Sequence, residues 1–340
     1  MGSTPINISA SRGAAVLGMS EWSTPLKVWM EIMEAKEPGF CAGRGYKLEP
    51  FEESAAMRWG LAFEDEICKI AADKHNDGIT WHEKEYEKSG FDYITCHIDG
   101  YYKNLKGLHE GKTTNSRTYY SKWGEPGTDH IPRSYQIQVQ HQMLCSGIND
   151  CIVSVLVFPK MVDEWEEMGW RPDHSNGGES SHDLNKLNED GIHMDYSEEI
   201  GTLDWAQALD QMGFFHQYPV KANPDLQALM LEKYTAFWNA NVLGKVPPEP
   251  RNYDDIKRLA IEPKGTIVAT EEEWRWSKEY KDITDEMRAA NKRKDELKTL
   301  LIKNMNSRAE APIDDDSVEK FILVGPDGEK LNTFNGKTFR

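Results

Sequence analysis

The run CIVSVLVF (151–158) sets the tightest limit on how this chain folds. A short, continuous apolar stretch of this length reads as a strand buried within a sheet. Upstream, YITCHIDG (93–100) and LHEGK (108–112) read as two further strands joined through the turn NLKG. Between them and the buried strand, IPRSYQIQVQHQMLCSG (131–147) opens after a proline, repeats with helical period and ends on glycine. Strands interspersed with helices, with one hairpin in the middle, indicate an α/β core around a mixed sheet. At 340 residues and 39% hydrophobic content, the chain can bury such a core as one large domain or two small ones.

The flanking segments read as helices. ISASRGAAVLG (8–18) suits a short helix capped by Ser9 or Ser11 and stopped by Gly18. Thr24-Pro25 is an N-cap followed by proline, opening a helix with Leu26, Trp29, Met30 and Met33 on one face. A third helix is predicted from about Glu53 to Lys74, with Met57, Leu61, Ile67 and Ile70 as its stripe. Another covers Asp225 to Leu243, with Leu226, Leu229, Met230, Tyr234 and Phe237 inward. After the connector VPPEP, Thr270 and Glu273 form a capping box that starts a long charged helix reaching about Met305, and GPDGEK (325–330) marks a closing hairpin.

Composition excludes several classes. Mean hydropathy is −0.68, and no apolar run approaches the roughly 18 residues of a membrane span. The start MGSTPINISAS lacks a signal-peptide pattern, and Ile6 stands where myristoylation requires Ser or Thr, so a cytoplasmic protein is expected. Cys41, Cys68, Cys96, Cys145 and Cys151 contain no C-x-x-C and support neither a disulfide framework nor a zinc ribbon. GKT at 111–113 is not a P-loop, because Lys106 occupies the position of the first glycine. His174, His182 and His193 have no zinc-ligand spacing, and Trp22, Trp29, Trp59 and Trp123 read as core residues.

A net charge of −17 argues at first against a nucleic-acid partner. Its distribution reverses that reading. Residues 161–210 hold 14 acidic and two basic side chains, a net of −12, and 171–191 reads as a solvated loop. Residues 100–143 are net +3.

Within that basic region Asp99 ends a strand, and Glu110 and Lys112 leave the same face of the next one. Pairing through NLKG brings Asp99 beside Glu110. Two carboxylates at a strand edge form a hard-oxygen site for Mg²⁺ or Mn²⁺. A neighbouring lysine can orient or deprotonate an attacking water and offset charge developing on a phosphorane. The competing reading is a surface hairpin with a solvated Glu–Lys pair.

Asp99-x10-Glu110-x-Lys112 resembles the core of the PD-(D/E)XK nucleases. Four blocks in order are similar to the lambda exonuclease/YqaJ family of phage-type recombination nucleases: ISASRGAAVLGMSEWSTPLKVW (8–29), RWGLAFEDEI (58–67) with Gly60 and Glu64, HIDG…HEGK, and SYQIQVQHQMLCSG (134–147). Ile98 and Gly111 depart from the usual proline and aliphatic residue, and the 161–210 excursion has no counterpart in short members. The resemblance implies a restriction-endonuclease-like α/β core with a central mixed sheet flanked by helices. It implies a nuclease core over 1–160, an acidic insertion over 161–215, and C-terminal helices and a hairpin over 216–340 packing on the same core.

By the same resemblance Asp99, Glu110 and Glu64 would hold Mg²⁺, with Mn²⁺ a possible substitute. Lys112 would orient the water or act electrostatically, and Gln138 would brace the lysine and the water. Ser11 and Arg12 fall where a terminal 5′ phosphate binds, and Lys103, Lys106, Arg117, Lys122 and Arg133 would track phosphates. The implied activity is 5′→3′ digestion of linear double-stranded DNA to 3′ overhangs, beside a single-strand annealing protein, by a homotrimer in a bacterial cell. The alternatives are a structure-selective or Cas4-like endonuclease with the same site, and a non-catalytic scaffold whose acidic segment mimics DNA or docks a partner.

Overall fold

The computed structural model describes residues 6–159, 179–180, 200–259, 266–308, 321–324, 326 and 330–334. The chain forms two compact units, Met1–Glu262 and Pro263–Arg340. Each of the five cysteines is a free thiol. His174, His182 and His193, with most of the acidic segment, lie outside the described residues.

The first unit is organised by a six-stranded mixed sheet. Its strands are β1 (Ile8–Ser9), β2 (Ile79–Lys88), β3 (Phe91–Tyr102), β4 (Leu108–Asn115), β5 (Asp150–Phe158) and, after a small β6 (Glu179–Ser180)/β7 (Ile200–Gly201) ladder, β8 (Phe215–Lys221). Around it lie α1 (Ala10–Val16), α2 (Pro25–Lys36), α3 (Phe40–Gly43), α4 (Ala55–His75), α5 (Ser116–Lys122), α6 (Arg133–Ser146), α7 (Thr202–Gln211), α8 (Pro224–Phe237) and α9 (Tyr253–Arg258). The caps follow the sequence: Thr24 accepts from the Lys27 amide at 3.1 Å, Ser54 from that of Met57 at 3.3 Å, and α6 stops at Gly147 with φ 75°.

The apolar run of β5 has no polar face because both of its faces are covered. β5 runs parallel to β4 and antiparallel to β8. Cys151, Val153, Val155 and Val157 pack with Val139 and Met143 of α6. The alternate residues Ile152, Leu156 and Phe158 pack with Trp59, Phe63 and Ile67 of α4 and with Trp205 and Leu209 of α7. A further cluster joins Leu26, Trp29, Met30 and Met33 of α2 to Met230, Tyr234 and Phe237 of α8.

The registers of β3 locate the functional region. Thr95 pairs with both Ser9 of β1 and Glu87 of β2, and Tyr101 with both Thr80 of β2 and Leu108 of β4. A strand has two edges, so β2 takes one and β1 and β4 divide the other. Asp99 lies at the fork between them, where ladder partners change.

Several expectations are corrected. On α4 the buried stripe is Trp59, Phe63, Ile67 and Ile70, while Met57 and Leu61 face outward. Leu229 on α8 is also outward, and Trp22 is 81% exposed. The acidic segment does not extend to 215 as an insertion: α7 buries Trp205, Ala206 and Leu209 in the core, and β8 completes the sheet. The boundary between the compact units falls after Glu262, within the expected 216–340 segment.

The second unit contains α10 (Glu271–Arg308) and the antiparallel hairpin β9 (Phe321–Val324)/β10 (Lys330–Phe334). The capping box is formed: Glu273 Oε2 accepts from the Thr270 amide at 2.8 Å, and Thr270 Oγ1 accepts from the Glu273 amide at 3.2 Å. Among the described residues no helix is long and apolar enough to cross a membrane.

Candidate active site

Asp99, on the fork of β3, accepts a hydrogen bond on Oδ2 from the Gly111 amide at 2.8 Å. A side chain thus satisfies a backbone donor that the β3–β4 ladder, which runs only through Gly100–His109 and Tyr101–Leu108, leaves open. A Cβ at position 111 would stand 3.3 Å from Ile67 Cγ2 and 3.7 Å from Asp99 Oδ2. Glycine there lets α4 and the carboxylate come close, and it does not interrupt β4.

Glu110 and Lys112 leave one face of β4, toward α6. Glu110 is fully buried, and every bond it accepts comes from a side chain. Lys112 Nζ and Gln138 Nε2 both donate to its Oε1. Gln142 Nε2 donates to Oε2 at 2.6 Å and also to the His97 carbonyl at 3.2 Å. Gln138 and Gln142 are one helical turn apart on α6, so both amides reach the same carboxylate. Lys112 Nζ donates in addition to the Gly111 carbonyl at 3.0 Å and lies 5.4 Å from the centre of the Tyr135 ring.

The electrostatics differ across the site. Burial raises the Asp99 carboxyl well above its ordinary value, and repulsion from Glu110 and Glu64 adds to the rise against the pull of Lys112 and the Gly111 amide. Glu64, on α4, is raised for the same reasons, burial first and Glu110 second. Burial pushes Lys112 down, but the attraction of Glu110 and Asp99 outweighs it and holds the ammonium above the ordinary lysine value. Three carboxylates therefore share one ammonium, leaving an excess of negative charge on hard oxygen atoms.

That donor set fits a hard divalent cation. Among the described residues no three His, Cys, Asp or Glu side chains converge as a ready-made cage. Mg²⁺ does not need one, because it keeps several waters and takes one or two carboxylates plus substrate phosphate. Asp99, Glu110 and Glu64 are the side chains that would hold it.

The remaining predicted residues are dispersed. Ser11 is exposed on α1, within 3.2 Å of the Ser9 hydroxyl. Arg12 pairs with Glu31 at 2.8 Å, and its guanidinium is lowered by burial against that attraction. Lys103 and Lys106 are exposed at the β3–β4 turn, which Asp77 staples by accepting from the Asn104 and Leu105 amides. Arg117 and Lys122 lie beyond the other end of β4, with Lys122 paired to Glu21, and Arg133 is exposed at the start of α6. The fold therefore bonds Glu110, Lys112 and Gln138 into one set, keeps Asp99 and Glu64 within electrostatic range of it, and disperses the basic residues. Gln142 and Tyr135 are additions that sequence reasoning missed. The signal for Gln142 was its spacing of four from Gln138.

A mixed sheet flanked by helices, with Asp99 at its fork and the Glu110–Lys112 pair beside it, has the restriction-endonuclease-like arrangement. Residues 5–149 match the family profile of the YqaJ-like viral recombinase domain. No curated protein matches the chain. Among solved structures it is similar to the alkaline exonuclease LHK-Exo from Laribacter hongkongensis at 16% identity and TM-score 0.45, covering 71% of this chain and 90% of that one. The same enzyme in complex with dAMP gives 16% identity and TM-score 0.44 over 71% and 90%. A phage-related exonuclease from Haemophilus somnus 129PT gives 12% and 0.39 over 71% and 96%.

Proposed function

We propose that this protein is a Mg²⁺-dependent exonuclease, with Mn²⁺ as a substitute ion, that degrades linear double-stranded DNA 5′→3′ and leaves 3′ overhangs for single-strand annealing recombination. The observation that carries the reading is the buried Glu110–Lys112 pair beside Asp99, inside the segment that matches the recombinase family. Asp99, Glu110 and Glu64 hold the ion, which when bound supplies Lewis acidity and a more acidic water.

Lys112 is held protonated, which favours an electrostatic role on developing phosphate charge over proton abstraction. Gln138 fixes one oxygen of Glu110 and so fixes the lysine that shares it. Ser11 offers a hydroxyl to the terminal 5′ phosphate, and Arg12 contributes as that dianion competes with Glu31 for the guanidinium. Lys103, Lys106, Arg117, Lys122 and Arg133 follow the backbone phosphates. The partner is a single-strand annealing protein, and the working assembly is a ring-shaped homotrimer.

Linear duplex labelled at either the 5′ or the 3′ end, incubated with Mg²⁺, tests the reading. Native protein should release mononucleotides from the 5′-terminated strands, Lys112→Ala should release none, and closed circular DNA should survive. Cutting of closed circles would favour a structure-selective endonuclease, and absence of Mg²⁺-dependent release from either end would overturn the proposal.

A further inference from the structure

α10 is a 38-residue helix, roughly 57 Å long at 1.5 Å per residue. From Trp276 one line of apolar residues recurs at alternating intervals of four and three: Tyr280, Ile283, Met287, Ala290 and, past Lys294, Leu297 and Leu301, with Ala289, Leu300, Ile302 and Met305 off the line. Trp276, Tyr280, Ile283, Met287 and Leu297 are between 44% and 76% exposed. A stripe of period 3.5 is the narrow seam of a two-helix supercoil, not the broader face a helix turns to a globular core.

The charges say which second helix the seam fits. Residues 271–287 carry seven acidic and three basic side chains, a net of −4. Residues 288–308 carry seven basic and two acidic, a net of +5. The helix dipole favours this polarity only within the first and last turns, whereas Glu279, Asp282, Asp285 and Glu286 lie beyond the first. A helix that is negative along one half and positive along the other complements a reversed copy of itself.

We propose that α10 pairs antiparallel with α10 of a second copy of this chain. One register satisfies the whole stripe. Tyr280 faces Leu297 of the second copy, Met287 faces Ala290, Trp276 faces Leu301, and the long Lys294 stem lies along Ile283 with its ammonium at the rim. Large residues meet smaller ones, and Glu286 and Arg293 flank the seam opposite each other, twice by symmetry. A parallel pair would instead set Lys294 against Lys294 and acidic half against acidic half. This inference does not depend on the nuclease reading.

Exposed charges can be reversed without burying anything, so the test does not hinge on folding. By light scattering on the full chain, Glu286→Lys and Arg293→Glu should each halve the native mass, from two trimers joined through their α10 pairs to one trimer, and the double variant should restore it. Under a mild oxidant, Tyr280→Cys/Leu297→Cys should cross-link chain to chain, while each single variant behaves like the native protein. The paired positions are about 25 Å apart within one helix, so no bridge can form inside a chain. A native mass that either reversal leaves unchanged, or a single-cysteine variant that cross-links beyond the native level, would overturn the antiparallel pair.

Discussion

The two halves of the candidate site are built on opposite principles. On the β4–α6 side, Glu110 is buried with donors on both oxygens, and Lys112 is neutralised by it. On the β3–α4 side, Asp99 accepts from one backbone amide, and Asp99 and Glu64 are both raised by burial first and by repulsion from Glu110 next. One half is satisfied by the protein alone. The other carries negative charge that only a cation or a proton relieves. A rigid half that positions and a repulsive half that attracts metal is the division of labour a metal-dependent hydrolase needs.

The sharpest way to break the contrast is to neutralise one carboxylate from each half. Glu110→Gln takes the charged partner from the half-buried Lys112 ammonium, which keeps only the Gly111 carbonyl and the attraction of Asp99, and should lower stability by about 1–3 kcal/mol. Asp99→Asn can keep the Gly111 bond while removing repulsion, and should raise the melting temperature of the metal-free protein. Both should abolish hydrolysis. Thermal unfolding of the two variants reads the opposite signs directly, and equal destabilisation would refute the contrast.

Metal removal should show the same asymmetry through pH. Asp99 and Glu64 hold protons above the ordinary carboxylate range. Their contribution to metal-free stability is therefore present at low pH and lost as pH rises through the raised values. The stabilisation given by added Mg²⁺ should accordingly grow with pH and vanish in Asp99→Asn, as melting curves with and without chelator would show.

His109, on the face of β4 opposite Glu110, supplies an effect of the other sign. It is fully buried, bonded to Cys68 at 3.1 Å, and burial pushes its pKa down to about 3. In the unfolded chain it takes up a proton near its ordinary value of 6.5. Stability should therefore fall as pH drops below that value, by up to about 1.4 kcal/mol per pH unit until the folded pKa is reached. Replacing His109 with Gln should flatten that slope in denaturant titrations.

A smaller effect sharpens the rigid half. Gln142→Leu removes the donor to Glu110 Oε2 and should cost about 1–3 kcal/mol. It should lower kcat by roughly tenfold with KM for DNA unchanged, because the residue positions Glu110 and does not touch substrate.

Sequence legibility followed the same physics. The hairpin, α6 and β5 were readable because turn residues, helical period and an apolar run each point to one structure. β8 was missed because Pro219 sits inside FHQYPVK, and a proline is tolerated there because β8, whose one strand partner among the described residues is β5, lies at an edge of the sheet. β2 was missed because ITWHEKEYEK offers almost no apolar pattern; it forms as the edge partner of β3. α7 was hidden by surrounding acidic residues, although Trp205, Ala206 and Leu209 cluster on its buried side. On α4 the expected stripe mixed two faces: Leu61 and Ile67 are six residues apart, about 120° around the helix, whereas Trp59, Phe63, Ile67 and Ile70 follow intervals of four, four and three and share the buried side. Asp99, Glu110 and Lys112 were legible from a short turn between strands, whereas the bonds among Glu110, Gln138 and Gln142 depend on a helix packed across the sheet.

Calorimetric titration of Mn²⁺ into Lys112→Ala and Asp99→Asn, paired with a cleavage assay on linear duplex, tests the central division most directly. Lys112→Ala should bind the ion at least as well as the native protein yet fail to hydrolyse DNA, and Asp99→Asn should lose binding and hydrolysis together. Native-level cleavage by Lys112→Ala, or undiminished ion binding by Asp99→Asn, would contradict the account.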